Sequence, residues 1–101
     1  MSCNHVELEG VIAECDTLRY TPAGIPIIGF NLSHISQQQE AGVTRSVKCM
    51  MPSLALGDIA LEASRLRENV RVKLSGFLAM KNLKSTQLVL HVTRIEYSQT
   101  R

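Results

Sequence analysis

Asp58-Ile59-Ala60-Leu61-Glu62-Ala63-Ser64-Arg65-Leu66-Arg67 is the stretch in which the apolar residues of this chain abandon a period of two. Ile59, Ala63 and Leu66 recur at i, i+4 and i+7, while Asp58, Glu62, Arg65 and Arg67 fill the remaining arc. That spacing predicts one short amphipathic helix, with Asp58 placed to cap its exposed amides. Immediately after it, alternation resumes. Val70, Val72, Leu74, Leu78 and Met80 are expected to point inward, and Arg71, Lys73, Phe77 and Lys81 outward, with Gly76 inside the strand. Lys81 to Gln87 form a polar, basic connection, and Leu88 to Tyr97 read as a fifth strand.

Three more strands lie before the helix. In His5 to Ala13, Val6 and Leu8 alternate with Glu7 and Glu9 until Gly10 interrupts, after which Val11 and Ala13 continue in shifted phase. A glycine within a strand pattern marks a bulge or sharp coil, which closing a small barrel requires. Thr21-Pro22-Ala23-Gly24 has the composition of a chain reversal. Pro26 to Ile35 place Ile28, Phe30 and Leu32 on one face and Gly29, Asn31 and Ser33 on the other. Gln37 to Gly42 read as an exposed hairpin loop, and Val43 to Met51 as a third strand closed by Pro52. Three strands, a helix and two strands, with glycines inside the first and fourth, predict an all-β, five-stranded OB-fold Greek-key barrel with one short helix between strands 3 and 4. An SH3-like barrel lacks a helical insertion at this point.

The chain has 101 residues, 45% of them hydrophobic and 4% aromatic. Residues 1–101 are expected to form one domain with one core, burying roughly two-thirds of the surface of the unfolded chain. No run approaches the length of a membrane span and no basic leader precedes an apolar segment, so a cytoplasmic protein is expected, with no membrane partner. Cys3, Cys15 and Cys49 are too scattered for a disulfide framework or a CxxC site. His5, His34 and His91 lie on separate strands without metal-ligand or triad spacing. Neither an enzyme nor a cofactor or metal is therefore expected.

The net charge of +2 is unevenly spread: residues 1–68 hold five Lys or Arg against eight Asp or Glu, residues 69–101 six against one. Such a bias suits an anionic partner, although a solvated basic strand pair has the same composition. Gripping single strands requires cations that follow phosphates and flat side chains on which bases stack. Arg19 and Tyr20 in the first loop, Lys48 and Arg45 on the third strand, Lys73 and Phe77 on the fourth, and Lys81 and Lys84 in the fourth loop supply both. In an OB barrel the first loop, the third strand and the fourth loop border one groove. Phe77 suits a base stack or a subunit contact equally.

Arg19-Tyr20-Thr21-Pro22-Ala23-Gly24-Ile25-Pro26, the Gln38-Gln39-Glu40-Ala41-Gly42 segment, Met51-Pro52, Gly76-Phe77-Leu78 and Leu90-His91 together resemble the primosomal replication protein N (PriB) family over nearly the whole chain. The resemblance implies an OB-fold homodimer, related to bacterial single-stranded DNA-binding protein, that joins the primosomal helicase and DnaT in restarting stalled replication forks. It also implies that Lys81, Lys84 and Arg19 occupy the family's DNA-contacting positions. Where well-known members carry a tryptophan on the third strand, this chain has Lys48. A stack worth ~1–3 kcal/mol is thus exchanged for a charge, and affinity is expected to lean on phosphates. Small barrels leave strand edges that are paired or covered, and the first strand is the expected dimer edge. A general single-stranded DNA-binding protein, a protein adaptor and an RNA-binding OB domain remain alternatives.

Overall fold

The computed structural model describes residues 2–98. Its elements run β1 (Val6–Cys15), β2 (Arg19–Tyr20), β3 (Pro26–Glu40), β4 (Val43–Leu56), α1 (Asp58–Ala63), β5 (Arg71–Met80) and β6 (Leu88–Tyr97). Hydrogen-bonded neighbours follow the order β1-β5-β6-β4-β3-β2, and a further β1–β3 pairing closes the circle. The ladder between β4 and β6 is parallel, with Ser53 opposite Leu90 and Leu54 opposite His91. Five long strands closed in this order, with a helix before β5, make the expected OB barrel. The two-residue β2, annexed to β3 by Arg19–Ile27 and Tyr20–Pro26 pairs, shifts the helix to between β4 and β5 in this numbering.

The core is aliphatic. Ile12, Ile28, Leu32, Val72, Leu74 and Leu90 are wholly or almost wholly buried, joined by Phe30, Ala55, Val92 and Ile95. Ala60, Ala63 and Leu66 bring α1 and the turn after it onto the same cluster. The helix is shorter than its period suggested, ending at Ala63, and Leu66 reaches the core from a turn instead. Asp58 is its first residue, and no side chain caps it: Gly57, at φ 82°, precedes it as the N-cap.

Two glycines mark close crossings. Gly10 was expected to bend β1 and shift its phase, yet Val6, Leu8 and the buried Ile12 keep one phase through it. The register slips three residues later, where Ala13 has no partner between the Ile12–Leu32 and Glu14–Asn31 pairs. Gly10 is needed because a Cβ there would strike the carbonyl of Ser33 on β3. Gly76 does mark a bulge: Ser75 pairs with Arg94 and Gly76 with Val92, leaving Thr93 extra. A Cβ on Gly76 would fall on the His91 carbonyl oxygen.

Beyond the barrel, β3 and β4 continue as a two-stranded ribbon, paired without interruption from Ile27–Leu56 to Glu40–Val43. The loop expected over Gln37 to Gly42 is therefore mostly strand. Only Ala41 and Gly42 turn, with φ of 53° and 76°, the positive values that a two-residue hairpin requires. The ribbon is laced by side chains: Gln37 donates to Ser46 Oγ at 3.0 Å, Gln39 donates to Thr44 Oγ1 at 2.6 Å, and Arg45 donates to Glu40. Pro52 does not end β4, which runs on to Leu56; the β6 ladder begins only at Ser53, so the missing N–H of Pro52 costs no pairing there. Met80 was expected inside but is half exposed opposite Leu88, where the β5–β6 hairpin outgrows the core.

The first half of β1 has one open edge. Ile12 exchanges hydrogen bonds with Val70 and Asn69 on the β5 side, so by alternation Val6, Leu8 and Gly10 also face β5, whereas Glu7 and Glu9 face away. Only from Val11 onward does β3 cover that other side. At the fork, the Glu9 carbonyl accepts a hydrogen bond from His34 Nδ1 at 2.6 Å.

Candidate nucleic-acid interface

A cleft of about 650 Å³ crosses the outer face of β3 and β4, between the chain around Asp16 and Arg19 on one side and Lys81 and Gln87 on the other. The outer residues of β3, Ile27, Gly29 and Asn31, meet Pro52 and Leu54 of β4 on its floor. Gly29 keeps that floor flat, since a Cβ there would lie 3.1 Å from Asp16 Oδ2. Val89 and His91 of β6 form a wall. The Phe77 ring, in register with His91 on β5, stacks on the imidazole at 5.1 Å between centroids.

Of the cations read from sequence, Arg19 and Lys81 line this cleft. Arg19 is aimed there by its pairing with Ile27, and Tyr20, next in the chain, pairs with Pro26 and so falls on the opposite side of β2. Lys48 shares the face of Pro52 and Leu54 but stands further out along the ribbon, opposite Ile35. Arg45 is on the other face of the ribbon and is ion-paired with Glu40. Lys84 is exposed in the fourth loop, its amide held by Asn82 Oδ1 at 3.0 Å. Lys73 lies outside β5, 3.3 Å from Glu96, which also holds Arg94. The C-terminal positive charge is thus divided between the cleft side and a wall where a carboxylate already meets it.

The sequence reading overlooked the acceptors of the cleft. Glu14, Asp16 and Glu68 line it together with the amides of Asn31 and Gln87. Asn31 donates to Glu14 Oε1 at 2.9 Å, fixing that carboxylate beside the floor. The signal available was the outward Gly29–Asn31 face of the second strand. Cys15 lines the cleft as well, and burial, followed by the charges of Asp16 and Glu68, pushes its thiol above the usual range.

Of the histidines, His5 lies beside Glu7, His34 bridges Glu9 and Ser36, and His91 carries the Phe77 stack. No helix among the described residues is long and apolar enough to cross a membrane.

A closed five-stranded barrel with a cleft bordered by its first and fourth loops defines an OB fold, a class whose members bind oligonucleotides or oligosaccharides on this face, and comparison with known proteins narrows the class. Residues 4–94 match a family model described as another single-strand binding protein family. The replication restart protein PriB of Nitrosomonas europaea is 44% identical over 94 residues, covering 91% of this chain and 87% of the relative. That of Bordetella pertussis is 36% identical, covering 88% and 83%. A solved structure of PriB from Ralstonia solanacearum superposes with a TM-score of 0.88 at 32% identity, covering 97% of this chain and all of the other. The chain belongs to the PriB family of single-strand binding proteins. A single-strand binding domain from Synechococcus shares the architecture at a TM-score of 0.73 and 25% identity, covering 96% of this chain and 98% of that one.

Proposed function

We propose that this protein is a non-enzymatic, single-stranded-DNA-binding component of the primosome, acting in the cytoplasm in the restart of stalled replication forks. The observation that carries this reading is the meeting of Arg19, from the first loop, and Lys81, from the fourth, around one cleft whose wall includes His91, the ring on which Phe77 stacks from behind. Cations at the rim engage phosphates while the flat wall and floor receive bases. Lys48 and Lys84 extend the cationic path beyond the cleft; Arg45, Lys73 and Tyr20 are secondary contacts in this reading, because each faces another side.

The protein acts as a homodimer, the open edge at Glu7 and Glu9 of β1 taking the same edge of a second copy. Membership of the PriB family supports the further partners, the primosomal helicase, whose loading it assists, and DnaT.

Fluorescence anisotropy with labelled single-stranded oligonucleotides at two salt concentrations tests the reading. With about five phosphate contacts, affinity should fall roughly a hundredfold between 50 and 200 mM salt. An almost flat titration would overturn a phosphate-led grip, and an absence of binding would leave the protein adaptor as the better account. Preference for RNA over DNA of the same sequence would move the reading to RNA.

A further inference from the structure

The open edge of β1 offers few unused backbone groups, and they do not suit every alignment of a partner strand. Asn4 carries the phase of the strand back beyond Val6: on the β5 side its side chain donates to the Leu78 carbonyl at 2.9 Å and accepts from the Leu78 amide at 3.0 Å. By the same alternation the backbone groups of His5, Glu7 and Glu9 face away from β5. The Glu9 carbonyl is already taken, by His34 Nδ1 at 2.6 Å, and from Val11 onward β3 occupies the edge. Among the described residues, the part of the edge left whole is His5 and Glu7.

The geometry points to one register for two copies joined edge to edge: an antiparallel ladder with its two-fold axis at Val6, so that His5 of each copy lies opposite the partner's Glu7. This rests on the proposed homodimer and adds its alignment. Residues paired in this way exchange both backbone hydrogen bonds, and neither pair calls on the Glu9 carbonyl. Each carboxylate meets an imidazole, repeating across the axis the contact within the chain, where His5 Nε2 is 3.7 Å from Glu7 Oε2. An axis at Glu7 would set two Glu7 carboxylates face to face, and an axis at Leu8 would set Glu7 against Glu9 twice. Like charges directly opposite each other are destabilising. Both alignments also draw on the occupied Glu9 carbonyl, and the second brings His5 to Val11, where β3 stands in the way. An axis at His5 has to recruit Cys3, which precedes the strand. On the inner side, the axis at Val6 lets two half-buried valines cover each other.

Disulfide formation reads the register. Four variants, His5→Cys, Val6→Cys, Glu7→Cys and Leu8→Cys, are oxidised mildly in a chain that also carries Cys3→Ser and Cys49→Ser; the parent chain, with only the half-buried Cys15, is the control. Val6→Cys should give covalent dimer fastest, because facing residues that exchange no hydrogen bond lie about 4.5 Å apart, within the span of a disulfide. The other three should lag by at least about tenfold, their Cα pairs lying beyond the ~7 Å that a disulfide bridges. Fastest cross-linking at residue 5, 7 or 8 would overturn this register. A chain that sediments as a dimer yet cross-links at none of the four positions would overturn β1 as the contact, and with it this inference. A monomer at micromolar concentration would overturn the homodimer reading itself.

Discussion

The Phe77 ring lies flat on the His91 imidazole, their planes 9° from parallel. His91 lines the cleft and is held in register both with Phe77 on β5 and with Leu54 on β4. Two strands thus share one stacked pair of rings, of which His91 reaches the wall of the cleft, in a chain whose β4 carries Lys48. Replacing Phe77 by Ala removes one ring of that pair. Affinity for single-stranded DNA should fall by about 1–3 kcal/mol, the usual contribution of an aromatic base stack, while the dependence on salt stays as it was. Anisotropy titrations at two ionic strengths read both quantities.

Charge removal should behave differently. Arg19→Ala and Lys81→Ala, at the cleft, and Lys84→Ala, in the fourth loop, should each weaken binding and reduce the slope of log affinity against log salt by about 0.7, one phosphate's share on a single strand. The melting temperature should hold, since these exposed side chains contribute little to folding. An unchanged slope in the triple variant would remove the three from the phosphate path.

The open edge of β1 admits a direct test. Glu7 faces away from β5, so Glu7→Pro deletes an N–H that the barrel does not use and that a second strand would need. Sedimentation at micromolar concentration should show a dimer for the unaltered chain and a monomer for the variant. A dimer that survives the proline would move the subunit contact elsewhere.

Crowded and open glycines should part company in stability. Gly76→Ala forces a methyl onto the His91 carbonyl, and a clash with the backbone of β6, which no side-chain rotation relieves, should cost at least about 2 kcal/mol. For a domain of this size that lowers the melting temperature by roughly 10 °C. Gly24→Ala meets nothing within 4 Å, although φ is 84°, so only the left-handed penalty of about 1–2 kcal/mol applies.

Thiol labelling distinguishes two environments among the three cysteines. Cys3 and Cys49 are exposed, whereas Cys15 is half-buried in the cleft with its thiol pushed up by burial, Asp16 and Glu68. Because the thiolate is the reactive form, Cys15 should label last at neutral pH and gain rate only as the solution becomes more alkaline. Bound oligonucleotide should slow it further while leaving Cys3 unaffected.

Much of this architecture was legible in the sequence because it follows from burial on one face. Ile28, Phe30 and Leu32 alternate with wet residues, and all three are core. Legibility failed where burial stopped deciding. Gln37, Gln38 and Gln39 have no apolar face, and their strand conformation comes from cross-strand side-chain bonds and a turn that puts an alanine at positive φ. Met80 keeps the inward phase of its strand but extends past the core. In the cleft, Arg19 and Lys81 were legible as cations near expected loops. Tyr20, beside Arg19, faces elsewhere because a two-residue strand sends adjacent side chains to opposite sides. Glu14 escaped notice because the unpaired Ala13 reverses the phase of β1, turning Glu14 out toward Asn31 and Cys15 in toward the core.

The parallel seam between β4 and β6 has a consequence for how the molecule comes into being. Ser53 and Leu90 touch across a ladder that no local turn can make, so a growing polypeptide emerging from the ribosome holds an unfinished sheet until β6 has been synthesised. Contacts of such long sequence separation form slowly. His91 arrives with that same strand, so a nascent or C-terminally clipped chain lacks one wall of the cleft: under the proposed function, competence to hold DNA and completion of the barrel would be a single event.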